Sequence, residues 1–216
     1  MVITGYIQDY DGESLLVAAP FSKEKEWVLQ KRQITQCEVR LDDGRTISAQ
    51  QRKAIYATLR DIALFTGYSP EETKQIMKYQ FYAETGAQEF SLSDVDMTTA
   101  NEFLNYLIEF CIRHSIPCSD RLLDRAPDIG RYLYACLVHK KCCISGRKAE
   151  LHHVDAVGRG RDREEIIHKG MRVLPLIREY HTEAHNMGRD SFCDKYKVFG
   201  IKLDNYLCKI WNIKAE

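Results

Sequence analysis

The stretch Leu151-His152-His153-Val154-Asp155 is answered further along by Leu174-Pro175-Leu176-Ile177-Arg178-Glu179-Tyr180-His181-Thr182-Glu183-Ala184-His185. Between them these segments hold four of the seven histidines, and they limit the fold more than any other feature. His181 and His185 are spaced i, i+4, so on a helix both imidazoles lie on one face and can reach one ion. His152 and His153 are adjacent, and on a strand adjacent side chains point to opposite faces. One of that pair can join the helical histidines at a metal while the other faces a substrate. Any fold that uses all four must bring a strand against a helix.

The remaining constraints come from the whole chain. At 216 residues it is long enough for one large domain or two small ones. No apolar run approaches the roughly 20 residues needed to cross a bilayer, and the N-terminus has no basic-then-apolar signal pattern. The expectation is a cytoplasmic protein with no membrane partner. Eight cysteines in such a setting read as reduced thiols. Cys37, Cys111, Cys136, Cys193 and Cys208 have apolar neighbours and read as small core residues. The zero net charge conceals a split: residues 135–216 carry 16 Lys+Arg against 11 Asp+Glu, and residues 1–134 carry 15 against 20. The basic part is the part with the histidines, which is compatible with a polyanionic substrate.

Read in order, residues 1–48 suggest strands. Asp11-Gly12 separates Val2–Tyr10 from Ser14–Ala19, and Asp43-Gly44 separates Cys37–Leu41 from Thr46–Ser48; both are hairpin signals. Gln50 to Phe65 predicts a helix that buries Ile55, Leu59, Ile62 and Phe65 and stops at Gly67. Ser69-Pro70-Glu71-Glu72 is a helix start with a cap, a first-turn proline and a capping-box glutamate, leading into Ile76-Met77 and Phe81-Tyr82. Thr99 and Glu102 have capping-box spacing for a helix to His114 that buries Phe103, Leu107, Phe110 and Cys111 and ends before Pro117. Tyr79, Phe81, Tyr82 and Phe90 read as core aromatics, with base stacking the rival reading.

Pro117 to Pro127 is polar and is the best candidate linker, dividing the chain into residues 1–126 and 127–216. A helix from about Asp128 to His139 leads into the second part. A short hairpin around Ser145-Gly146-Arg147 then delivers His152 and His153, Val157 to Lys169 forms a Gly- and Arg-rich loop, and Arg178 to Met187 is a helix closed by Gly188. The fold class is α+β. A small β-hairpin and helical N-terminal domain precedes a strand–loop–helix unit.

Cys142-x-x-Ser145-Gly146, His152-His153, and Pro175-Leu176 followed by His181 and His185 together resemble the HNH, or ββα-metal, endonuclease motif. The double histidine with two helix histidines is similar to the nuclease domains of DNase colicins. His153-Val154-Asp155-Ala156-Val157-Gly158-x-Gly160-Arg161-x-Arg163, with His181-x-Glu183-Ala184-His185-Asn186-x-Gly188, resembles more closely the HNH nucleases of phages of Gram-positive bacteria. That resemblance covers roughly residues 135–210. Upstream, Ile47–Tyr82 and Phe90–Pro117 more weakly resemble the phage NinB (Orf) recombination mediators, which bind single-stranded DNA.

The resemblance implies that His152, His181 and His185 hold a divalent metal and that His153 is the general base that activates water. It implies DNA as substrate, whether duplex, single-stranded or branched, in a bacterial host cell during phage recombination or processing. HNH proteins usually carry Asn three residues before the proline, where it helps to hold the loop bearing the base; this chain has Arg172 there, which suggests a contact to the scissile phosphate. Many HNH domains also hold a structural zinc on two Cys-x-x-Cys pairs. Here Ser145, Ile177 and Tyr180 stand at three of those positions, so Cys142 and Cys143 read as packing residues.

This set of residues suits phosphodiester hydrolysis. One ion on three neutral imidazoles keeps an open position for charge neutralisation and leaving-group support. A histidine free of metal, with its ordinary pKa near 6.5, can take a proton from water at neutral pH. Imidazole ligands favour zinc, nickel or manganese over magnesium without choosing among them. Asp155 can add an oxygen ligand or orient a histidine. Arg159, Arg161 and Arg163 suit bidentate contact with phosphates. His168 reads as a loop residue, and Glu183 as facing away from the ion. Two rival readings remain: a metal that only staples the fold, and a non-catalytic single-strand-binding mediator with a degraded HNH module. Oligomeric state is left open.

Overall fold

Helix boundaries in this chain are set by its capping residues. In the computed structural model, which describes residues 5–33, 35, 36, 39, 44–155 and 167–215, α2 (Ala49–Thr66) starts at Ser48. The Ser48 hydroxyl accepts the Gln51 N–H while the Gln51 side chain accepts the Ser48 N–H, which satisfies two donors that the first helical turn leaves free. The helix closes at Gly67, whose φ of 81° is left-handed. α3 (Pro70–Thr85) has the same arrangement at Ser69 and Glu72, with proline in its first turn. α4 (Met97–His114) is capped by the Asp96 carboxylate, which accepts from the Thr99 N–H. The sequence suggested Thr99 itself as the cap. Asp96 takes that place because its backbone is pinned in a bridge to Thr46.

The N-terminal strands form a hairpin, β1 (Tyr6–Tyr10) and β2 (Leu15–Ala18), antiparallel across Asp11-Gly12. Where further strand was expected, Lys23–Arg32 is a helix, α1. Its run of Lys, Glu, Leu, Gln and Arg favours helix, and it lacks the alternation of a half-buried strand. The second expected hairpin falls largely on residues 37, 38 and 40–43, outside the described residues.

A single apolar cluster joins the middle of the chain to its C-terminal part. Ile55, Leu59 and Ile62 of α2, Met77 and Phe81 of α3, and Phe103, Leu104 and Leu107 of α4 share it with Leu174, Leu176, Ala184 and Phe192. Phe65, expected inside, is exposed. Phe81 is buried and meets Phe103, Phe90 and Tyr106 edge-on at 5.4, 6.1 and 5.5 Å, so most of the aromatic set is core. Tyr79 alone among them stands 73% exposed. No described helix is long and apolar enough to cross a membrane.

The polar stretch 117–127 contains a short helix, α5 (Leu122–Arg125), and one end of it is anchored deep in the α2 face. Arg125 is buried, pairs with the buried Asp61 at 2.7 Å and donates to Thr58 Oγ1 at 3.1 Å. It also donates to Ser119 Oγ at 3.0 Å and pairs with Asp120. Asp128 then caps α6 (Ile129–Val138). Three antiparallel strands follow in the order β3 (Glu150–His153), β4 (Arg172–Leu176) and β5 (Ile201–Lys202). α7 (Arg178–Met187) and α8 (Arg189–Tyr196) lie between β4 and β5 in sequence, and α9 (Asn205–Trp211) closes the chain.

Replacing one partner of a buried ion pair strands the other charge, at a cost of about 3–5 kcal/mol. Arg125→Ala, which leaves Asp61 uncompensated, should therefore lower the unfolding free energy by that amount, read as a lower urea midpoint with an unchanged slope. A midpoint equal to that of the native chain would show that the pair does not hold the 117–127 segment.

Candidate metal centre

The register of β3 against β4 decides which histidine goes where. Their pairing sets His152 opposite Leu174 and His153 opposite Val173. Leu174 belongs to the main core that also contains Ala184 of α7, whereas Val173 belongs to a second cluster with Leu137, Leu203 and Leu207. Alternation therefore turns His152 toward α7 and His153 toward the other face. His152 is buried and His153 half-buried.

α7 supplies the other two rings. Ala184 is buried against the core and Tyr180 packs beside it, which orients the neighbouring i, i+4 face carrying His181 and His185. These two rings stack at 5.0 Å with 28° between planes. His152 stands edge-on to both, at 4.6 and 5.0 Å between ring centres. One ligand atom from each of His152, His181 and His185 falls within 4.8 Å of the others. Burial grades across the trio: His152 is buried, His181 half-buried and His185 exposed. An ion held there would keep a side open to solvent.

The polar atoms of the trio fit a cation. His152 Nδ1 and His181 Nδ1 are buried without a hydrogen-bond partner, and an unmet buried polar atom costs about 1–3 kcal/mol. Glu150 Oε2 lies 3.5 Å from His181 Nδ1, close enough to pair with a charged ring but without hydrogen-bond geometry. Burial, reinforced by the His181, His185 and His153 rings, pushes His152 down to about 4. Burial first and His185 second lower His181 as well. Rings that resist protonation keep lone pairs available to a metal.

On the opposite face, His153 Nε2 lies 2.9 Å from His168 Nδ1. Burial and the His168 ring hold His153 below its ordinary value. Sequence reasoning passed over His168 as a loop residue. It follows a long connection, and neither spacing nor periodicity ties it to His153.

Asp155 and Arg172 meet each other instead of the histidine trio. Asp155 Oδ2 accepts the Arg172 backbone N–H at 2.7 Å, and Oδ1 accepts from Nε and Nη2 at 3.0 and 2.6 Å. The Val154 N–H donates to the Arg172 carbonyl at 2.8 Å. Arg172 thus closes the end of the β3–β4 pair just beyond His153. Gly200 backs this closure: a Cβ there would stand 2.8 Å from Arg172 Cβ and 3.1 Å from Val154 Cγ2. Glu183 faces away from the trio, accepting from Lys195 Nζ at 2.5 Å and Tyr196 Oη at 2.9 Å, which ties α7 to α8. Arg159, Arg161 and Arg163 lie outside the described residues.

Cys142 and Cys143 are fully buried in the core. Their turn is held by Cys142 N–H to the Arg147 carbonyl, Gly146 N–H to the Cys142 carbonyl, and Cys143 N–H to the Pro175 carbonyl.

A family model described as "Putative HNHc nuclease" matches residues 21–214, which includes both the helical N-terminal part and the histidine site. No curated protein and no solved structure matches the chain.

The low His152 value has a definite consequence for stability. An unfolded histidine protonates near pH 6.5, but the folded ring stays neutral to about 4, so below 6.5 the unfolded state binds more protons. The metal-free protein should hold this part of its stability above pH 6.5 and lose it as pH falls toward 4. Thermal melts across that range should show Tm falling with acid, and more weakly in His152→Asn. A native Tm flat across the window would contradict a buried neutral ring.

Proposed function

The chain belongs to the HNHc nuclease family, and from that membership we propose that it is a metal-dependent DNA endonuclease that hydrolyses phosphodiester bonds. The observation that carries this reading is the division of labour at β3: His152 converges with His181 and His185 on one face while His153 stands free of them on the other. A purely structural ion has no use for a half-buried histidine on the reverse face, and closed structural sites usually take four ligands.

In this reading His152, His181 and His185 hold one divalent cation, with zinc, manganese, nickel and magnesium the candidates. When bound, such an ion neutralises charge on the phosphoryl group and supports the leaving oxygen. His153 takes a proton from the attacking water. Its pKa, held below the ordinary value, leaves the ring neutral at physiological pH, as a base must be. Arg172 has its guanidinium committed to Asp155, which favours holding the strand end beside the base over contacting phosphate. That is the task of the asparagine usual at this position in the resemblance above. The arginines at 159, 161 and 163 are assigned to the DNA backbone, and the biological setting to phage DNA recombination or processing.

Plasmid and branched DNA incubated with each metal in turn test the activity. His153→Ala should lower cleavage about 10²–10⁴-fold and leave zinc binding, measured by calorimetry, intact. His181→Ala or His185→Ala should lose both. Absence of cleavage by the native protein with every metal would leave the single-strand mediator as the better reading.

A second measurement addresses Arg172. Arg172→Lys cannot reproduce the forked contact to Asp155, so kcat should fall with little change in KM. Loss through KM alone would restore the phosphate-contact role.

A further inference from the structure

The imidazole of His168 is placed by its backbone on two sides. The backbone N–H of His168 donates to the Lys214 carbonyl at 2.9 Å, and its backbone carbonyl accepts the Met171 N–H at 3.0 Å. The turn His168-Lys169-Gly170-Met171 has Gly170 at φ +84°, the conformation that a type II turn demands at its third position and that glycine adopts without strain. Gly170 N–H donates to the Leu203 carbonyl at 2.8 Å, and Leu203 N–H to the Met171 carbonyl at 2.9 Å. The turn is therefore fastened both to the segment after β5 and to the tail after α9. That fastening presents His168 Nδ1 to His153 Nε2 at 2.9 Å, with ring centres 5.0 Å apart.

A hydrogen bond between two neutral imidazoles needs one nitrogen that carries a proton and one that does not. If His153 Nε2 accepted, its only proton would sit on Nδ1 and the ring would have no lone pair to offer water. If Nε2–H donates, Nδ1 is left as a base. We infer that His168 is a positioning residue: its Nδ1 accepts the Nε2–H of His153 and thereby fixes the tautomer in which His153 Nδ1 is the basic nitrogen. The inference rests on the nuclease reading above. In the hydrolytic step, His153 Nδ1 receives the water proton, the hydroxide oxygen forms a bond to phosphorus, and the bond from phosphorus to the leaving oxygen breaks with its electron pair on that oxygen. His153 is then a cation, and its bond to His168 becomes charge-assisted and stronger. His168 thus stabilises the form of the base that the reaction creates, without touching the reacting atoms.

The test uses full-length protein loaded with zinc and labelled with ¹⁵N at histidine, with long-range ¹H–¹⁵N spectra to read the tautomer of each ring. The expected native result is His153 protonated at Nε2, with a mixture of tautomers in His168→Ala. On DNA, kcat should fall about tenfold in His168→Ala, the loss of one hydrogen bond's free energy, with KM and zinc affinity unchanged. His168→Asn places an amide oxygen close to the position of Nδ1 and should restore most of both the spectrum and kcat. His153 unprotonated at Nε2 in the native protein, a tautomer unchanged in His168→Ala, or a loss confined to KM would each overturn the inference. If the native protein cuts nothing, or His153→Ala cuts as well as the native, the nuclease reading fails; the spectra still decide whether His168 sets the tautomer.

Discussion

Everything at this site depends on one backbone register, the pairing of His152 with Leu174 and His153 with Val173 across β3 and β4. A slip by one residue would exchange the two faces, turning His153 into the core and His152 out toward His168. The protein guards against that slip from both sides. Leu174 and Leu176 are committed to the main core, and Val173 to the smaller cluster with Leu137, Leu203 and Leu207. Two separate apolar environments, one on each face, hold the strand pair. The adjacent histidines then need no special geometry, since alternation alone sends them apart.

At the end of β3 the register is locked a second time, by charge. Asp155 takes three hydrogen bonds from Arg172, one of them from its backbone. With Arg172 46% exposed on its side chain, solvent screens the pair and it contributes little to global stability. Its value is positional. It fixes the chain beyond His153 to the residue that begins β4, and the absence of a side chain on Gly200 lets the neighbouring backbone approach closely enough to cover it. Arginine reaches farther than asparagine and makes a forked contact, so it can restrain a strand end through a carboxylate partner that asparagine would not need.

How much of this was legible in the sequence depended on the range of the interaction. The capping box at Ser69, the helix stops at Gly67 and Gly188, and the i, i+4 pair on α7 are local, and each was readable from residues a few positions apart. Strand alternation showed that His152 and His153 part company. The family resemblance, not spacing, chose which of them joins α7. The unreadable features are those made by distant segments. Asp96 outcompetes Thr99 as a cap because of a bridge to Thr46. Arg125 looked like part of a polar linker until its partner Asp61 appeared on α2. His168 meets His153 only because the Lys214 and Leu203 carbonyls hold its turn in place.

The same distinction explains why the helical part of the chain matters to a site that it does not line. α7 is held by Ala184 and Tyr180 against a core built largely by α2, α3 and α4, and β4 enters that core through Leu174 and Leu176. The spacing between His152 and the two helical histidines is therefore set by how β4 and α7 seat on a common apolar surface. A hairpin and helix alone would have too few buried side chains to fix that spacing, since small units bury a smaller share of their surface. Loosening the core beneath α7 would widen the ligand cluster before it unfolded the chain. Any metal affinity of the trio would thus be coupled to packing through Ala184, and the coupling would run both ways: an ion that bound only the assembled trio would stabilise the folded state by mass action.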